Sequence, residues 1–233
     1  MTHPSYISEQ RFEADFLKGP VWRLDKAEMA QQAVAEARLA NVRLMGCRLP
    51  EPDDRTGYLE AAGFRKVETL VSLARAVRRG VPMPEGVRAA RSEDADAAGC
   101  RRVGEAAFTS DRYHADPDVP DEAADALKGA WAYNAVMARA DRVFIYDEGN
   151  GILGFNACLL RGQTVVIDLI GVMPGRQGAG IGAKLLLAMD ADYQGRADRV
   201  EVGTQLSNSG SLTFYKNDGF KEFRREQTWH WTV

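Results

Sequence analysis

Apolar positions along the chain change period most sharply in the stretch "DLIGVMPGRQGAGIGAKLLLAMD". A nearly unbroken apolar run, the pattern of a strand buried on both faces, meets a turn carrying Gly178, Gly180 and Gly182. Beyond the turn, Ile181, Leu185, Leu186 and Met189 recur with the spacing of one helical face. Further on, "DRVEVGT" alternates as a strand, "GSLTFYKNDG" suits a short helix and "FKEFRREQTWHW" a terminal strand. Upstream, "RVFIYD" and "ILGFNACLL" flank a hairpin turn at Asn150-Gly151. Two helices precede them, one ending near Phe108 and one over "DEAADALKGAWAYNAVMARA", interrupted or bent near Gly129, with a polar loop "TSDRYHADPDVP" between. A short strand at "VRAA" completes the order β-α-α-β-β-β-α-β-α-β, an α/β fold with a mixed central sheet flanked by helices.

The N-terminal part reads as a smaller α/β unit. Asp25 and Glu28 have capping-box spacing before the helix formers "MAQQAVAEARLA". "NVRLMGCRL" is a strand, "DDRTGYLEAAGF" a short helix ending at Gly63, and "RKVETLVSLARAV" a longer strand. The segment 78–86, "RRGVPMPEG", has two prolines and two glycines and reads as a linker. It divides the chain into a subdomain at 1–80 and a domain at 87–233.

Composition excludes several classes. With 45% apolar and 27% charged residues the chain is that of a globular protein, and a net charge of −3 disfavours nucleic acid as a partner. No apolar run approaches the roughly 20 residues of a membrane span, and the N-terminus does not read as a signal peptide. Cys47, Cys100 and Cys158 are odd in number and widely spaced, and His3, His114 and His230 lack ligand spacing. The expectation is a cytoplasmic protein with no disulfide framework and no metal.

Glycines at a helix mouth let backbone approach a ligand, and the unpaired amides there suit an anion such as a diphosphate. A tight strand-helix turn is the alternative. The order Gly178-x-Gly180-x-Gly182 departs from the dinucleotide fingerprint, and no Gly-Lys-Ser/Thr follows, so NAD and ATP are disfavoured.

The segment Gln177-x-x-Gly180-x-Gly182 after "DLIGVMP" resembles the coenzyme A pyrophosphate loop of the GCN5-related N-acetyltransferase (GNAT) superfamily. "NSGSLTFYKNDGF" resembles its second signature, and the likeness covers about 87–233. "DRYHADP", "WAYNAV", "TQLSNSGSLTFYKNDGF" and an extension containing "YLEAAGF" are similar to the TDP-fucosamine acetyltransferase group. An internal echo aligns "YLEAAGFRKVETLV" with "FYKNDGFKEFRREQT", with Leu59 where Tyr215 stands. The N-terminal unit, which has no glycine loop, then reads as a degenerate, non-catalytic half-copy walling the acceptor site, or as an unrelated helix-to-strand turn.

The resemblance implies a GNAT fold with acetyl-CoA as cosubstrate. It makes Tyr215 the acid that protonates the leaving thiolate, against a packed aromatic as the alternative. Backbone at Ile170 and Val172 would stabilise the oxyanion, and Gln177, Gly178, Ala179, Gly180, Ile181 and Gly182 would hold the pyrophosphate. Asn208 either contacts the coenzyme arm or caps a helix. Asp168, placed with Val166 and Ile170, is a base or a structural acceptor. Arg112, Tyr113, His114 and Asp116, with Trp131 and Asn134 on one helical face, either line the acceptor site or are ordinary packing. The implied function is N-acetylation of a nucleotide-linked amino-deoxysugar in polysaccharide biosynthesis. Acetylation of another small amine (an aminoglycoside or polyamine) and coenzyme binding without catalysis are the alternatives. Phe223, Trp229 and Trp231, expected on one side of the last strand, form either core or the seam of a homodimer.

Overall fold

The computed structural model of the protein describes residues 4–149 and 151–233, so His3 and Asn150 lie outside the described residues. The first half runs β1 (Ile7–Glu9), α1 (Arg11–Leu17), β2 (Val21–Leu24), α2 (Ala30–Leu39), β3 (Leu44–Pro50), α3 (Thr56–Ala61) and β4 (Arg65–Ala76). The second runs β5 (Val87–Ala89), α4 (Asp94–Ala107), α5 (Asp121–Asn134), β6 (Arg142–Asp147), β7 (Ile152–Arg161) and β8 (Thr164–Val172). It ends with α6 (Ile181–Tyr193), β9 (Arg199–Gln205), α7 (Ser209–Asn217) and β10 (Lys221–Thr232). The expected order of the second half is the one observed. The elements β1, α1 and β2 were not anticipated, because strands of three and four residues carry too little alternation to register.

All ten strands join one mixed sheet in the order β1-β2-β3-β10-β4-β9-β8-β7-β6-β5. The two halves interleave: β4 of the first pairs with β9, and β10 of the second pairs with β3, while β4 and β10 pair with each other. Alternation along the strands divides the core. Met45, Cys47, Trp229 and Trp231 pack with α2 and α3, and Val202, Leu185 and Tyr215 pack around α6 and α7. On the opposite face, Ile145, Phe155 and Leu169 meet α4 and α5, and Leu44 and Val21 meet α1 and Tyr113.

The internal echo extends to backbone geometry. Gly63 and Gly219 have φ of 87° and 89°. Phe64 donates to Leu59 O at 2.9 Å, and Phe220 donates to Tyr215 O at 3.0 Å. The parallel pairing of β2 with β3 matches that of β8 with β9.

Several local expectations are corrected. The capping box does not form: Asp25 accepts from Arg23 and Ser8, and α2 starts at Ala30 without a side-chain cap. Helix α5 runs uninterrupted through Gly129. A Cβ there would come within 2.5 Å of Glu105, and one at Gly104 within 2.9 Å of Lys128 O, so both glycines serve the close crossing of α4 and α5. The irregularity falls later, as a π turn at Ala135–Arg139. Trp229 and Trp231 are core, whereas Phe223 is the extra residue of a bulge in β10, within a stretch 221–225 that is exposed throughout.

A buried ion cluster clamps the exchanged strand. Arg75 of β4 binds both oxygens of Asp190 on α6 at 2.8 Å and Asp218 at 2.9 Å, and its guanidinium stacks on Phe220. The Arg75 and Asp190 side chains are 6% and 0% exposed, so removing one strands the other charge in the core. Asp190→Ala is therefore expected to cost about 3–5 kcal/mol of unfolding free energy in urea titration.

Candidate active site

The site begins where two parallel strands part. β8 and β9 pair from Thr164↔Arg199 to Ile167↔Val202, and the pairing stops there. β9 continues to Gln205 along β4, whereas β8 continues to Val172 along β7 alone. From Asp168 onward, the edge of β8 that faced β9 has no strand partner. An open edge is a row of backbone donors and acceptors ready for a ligand.

A bulge sits at the same point. Ala157 pairs with Leu169 and Cys158 with Ile167, leaving Asp168 as the extra residue. Alternation inverts across it. Ile170 and Val172 pack toward the α6 side, while Leu169 packs with the α4–α5 cluster, and Asp168 reaches Arg139 at the end of the π turn that follows α5. Asp168 thus does not share a face with Ile170, because the bulge adds one residue to the count. The strand also alternates buried and half-buried positions rather than being buried on both faces.

The glycine loop follows directly. Gly178 and Gly180 both have φ of 80°, left-handed geometry that a side chain tolerates poorly, and Gly180 is the N-cap of α6. A Cβ at Gly175, Gly178 or Gly180 would meet nothing within 4 Å, so protein atoms do not fill the hollow of the loop. The first amide to bond back is that of Lys184, to Gly180 O at 3.0 Å. The amides of Ile181, Gly182 and Ala183 precede it at the positive end of the helix dipole. These features fit a diphosphate. Gly182 has a separate role: a Cβ there would lie 3.1 Å from the Phe214 ring, so its absence lets α7 approach α6. Gln177 is exposed, and its side chain reaches Val172 O at 3.4 Å.

Helix α7 brings Tyr215 and Asn208. Tyr215 is buried against Phe214 and Phe220, and burial alone pushes its phenol pKa well up, which keeps the hydroxyl protonated at neutral pH. Asn208 is the N-cap, accepting from Ser211 N at 3.0 Å. Asp168 is raised by burial, against the opposing pull of Arg139 at 2.6 Å.

The loop between α4 and α5 lies on the other face of the sheet from α6 and α7, packed with α1 and α5. Arg112 lies over Tyr113 (4.6 Å) and Trp131 (5.8 Å) and donates to the Tyr113 hydroxyl at 3.0 Å. Trp131 also stacks on Phe12 of α1. His114 lies 2.7 Å from Asp111 and 3.1 Å from Asp125, and the bond to Asp111 raises its pKa. Asp116 is a joint instead of a lining group. It holds buried His230 at 2.7 Å and is ion-paired with Arg65, and burial pushes His230 toward the neutral form. Asn134 is half-buried near the end of α5.

Sequence reasoning missed the polar residues between these groups. Lys128 is buried 3.5 Å from Asp111, with Trp131 and Phe108 rings beside it; burial lowers its pKa. Burial would raise Asp111, but His114 and Lys128 outweigh it and hold it at about 2. Glu68 of β4 is buried and accepts from Thr228 and Arg48. A lysine inside the apolar stripe Ala124, Leu127, Trp131 was a legible signal. Glu68 offered none, because the facing of β4 depends on which strands flank it.

Comparison with known proteins defines the class. Residues 139–222 match a family model described as the acetyltransferase (GNAT) domain, and they contain β8, the glycine loop, α6 and α7. That stretch is similar to a GNAT acetyltransferase domain. Over 114 residues the chain is 30% identical to the spore coat polysaccharide biosynthesis protein SpsD of Bacillus subtilis (strain 168). The match spans 48% of this chain and 39% of that relative's length. A functionally unknown conserved protein of Staphylococcus epidermidis shares the fold at a TM-score of 0.67, with 12% identity over 100% of this chain and 94% of the other. A GCN5-related N-acetyltransferase from Sphaerobacter thermophilus does so at 0.62, with 16% identity over 97% and 75%.

Gly180→Val puts a β-branched residue at φ 80°, so it should cost about 1–2 kcal/mol of stability. It should also shrink the rise in melting temperature that acetyl-CoA produces, which thermal-shift titration reads directly.

Proposed function

We propose that the protein is an acetyl-CoA-dependent N-acetyltransferase acting on the amine of a nucleotide-linked amino-deoxysugar. The observation that carries the transferase reading is the parting of β8 from β9 beside the open glycine loop. The acceptor class is supported by the relative named for spore coat polysaccharide biosynthesis. Arginine and aromatic side chains over the acceptor face agree with it: guanidinium suits phosphate and rings suit a base or sugar.

Acetyl-CoA supplies a thioester carbonyl open to attack by an amine. The amides from Gln177 to Gly182 would hold its diphosphate, and the open edge of β8 at Ile170 and Val172 would meet the carbonyl oxygen as charge builds on it. Tyr215 would give its phenolic proton to the departing sulfur. Asp168 would take the proton that the acceptor nitrogen loses, a role its raised pKa favours, while Arg139 restrains and orients it. Arg112, Tyr113, His114, Trp131 and Asn134 would line the acceptor side. The N-terminal half supplies walls rather than chemistry, and the three buried, unpaired cysteines suit a reducing cytoplasm.

Free coenzyme A should be released when the protein is given acetyl-CoA and a TDP-amino-deoxysugar. Good turnover with a polyamine or aminoglycoside and none with amino-sugar nucleotides would overturn the acceptor assignment. Tyr215→Phe is expected to lower kcat by about 10²–10⁴ with the KM for acetyl-CoA unchanged; full retained kcat removes the acid role. Burial raises Asp168, so the acid limb of kcat/KM should lie above the ordinary carboxylate range. Arg139 pulls the other way, so Arg139→Met should move that limb to higher pH and Asp168→Asn should abolish it. An unaltered profile in Asp168→Asn would exclude it as the base.

A further inference from the structure

The half that lacks a glycine loop places a buried carboxylate on the acceptor face. The Glu68 side chain is 4% exposed. Its Oε1 accepts from Arg48 Nη2 at 3.2 Å and from the Thr228 hydroxyl at 3.0 Å, and Arg48 Nε also donates to Thr228 at 3.1 Å. Its Oε2 is buried and has no hydrogen-bond partner among the described residues. Arg48 and Thr228 account for Oε1, but a desolvated carboxylate oxygen without a donor is expensive, and Oε2 has none.

Its neighbours tie it to the acceptor side. The negative charge of Glu68 acts on Arg112 and Lys128, the residues beside Tyr113 and Trp131, as well as on Arg48 and His230. The Arg48 side chain is one-third exposed, so Glu68 is one movable side chain from solvent. Strand exchange puts it there. β4 leaves β9 after Leu70↔Gln205, and Glu68 stands two residues beyond, opposite Thr228 of β10. At two strands' remove from β8 it is too distant to handle the reacting nitrogen, since strands lie about 4.8 Å apart. It is placed for the remainder of the acceptor. Arg48, Arg112 and Lys128 are matched in number by Glu68, Asp111 and Glu13, which favours a neutral hydrogen-bond donor over another cation.

We propose that Glu68, contributed by the non-catalytic half, is a specificity-determining residue whose free oxygen accepts a hydrogen bond from an acceptor hydroxyl. The inference rests on the amino-sugar reading above. It gives the N-terminal half a ligand contact and explains why an unsatisfied acid is kept in the seam.

TDP-galactose carries sugar hydroxyls but no amine, so it tests the contact without turnover. Its thermal shift, taken in excess of that given by TDP alone, should be clear for the wild type and lost in both Glu68→Gln and Glu68→Ala. The shift given by acetyl-CoA should persist in both variants, showing folded protein and an intact coenzyme loop. With TDP-4-amino-4,6-dideoxygalactose, Glu68→Ala should lower kcat/KM by about 10- to 100-fold, mostly through the acceptor KM. Equal TDP-galactose shifts in all three proteins, no wild-type shift beyond TDP, or loss of the acetyl-CoA shift in the variants would each overturn the proposal. Glu68-dependent binding of TDP-galactose without acetyl transfer to any amino sugar would uphold this contact and sink the transferase reading instead.

Discussion

The loss of hydrogen bonding between β8 and β9 beyond Ile167↔Val202 is the feature on which the site depends. Parallel strands inside a sheet normally stay paired, because an unpaired amide or carbonyl away from water is costly. Here β9 stays with β4 through Gln205 on its other edge, while β8 is bulged at Asp168 and stays with β7 through Val172. The result is a wedge with free backbone on one wall and the mouth of α6 at its end. The left-handed glycines keep that mouth open, and Gly182 lets α7 carry Tyr215 in close.

The same pairing explains the exchange of strands between halves. Each half contains a β-α-β-α-β run (β2 to β4 and β8 to β10) with a Gly-Phe turn of matching geometry before its last strand, and each lends that last strand to the other. Neither half can then close its sheet alone, and the clamp of Arg75 on Asp190 and Asp218 fixes the lent strand in place. The seam between β4 and β10 gathers polar groups from both halves: Arg48 and Glu68 from the first, Thr228 and His230 from the second, with the loop at Asp111–Asp116 above them. A wall assembled in this way can be varied without touching the glycine loop.

Local chemistry made much of this legible. The run before Gly178 announced a strand, the glycines a left-handed turn, and Ile181, Leu185, Leu186 and Met189 the buried face of α6. Asn208 at a cap and the turn at Gly219-Phe220 are likewise local, since both depend on hydrogen bonds within a few residues. Gly129 was misread because a glycine in a helix pattern signals either a bend or a close crossing. Only the position of Glu105 on a second helix chooses between them.

What the sequence determined by itself was therefore the succession of strands and helices and the glycine mouth, whose causes lie in φ preferences and apolar period. The tertiary structure decided the facing of Asp168, because a bulge depends on how many residues the neighbouring strand offers. It also decided that Glu68 lies inward, and that Asp116 serves His230 and Arg65 as a joint. The Glu68 and Asp116 outcomes follow from pairings between residues 51 to 160 positions apart, and no local period encodes which distant strand will arrive alongside.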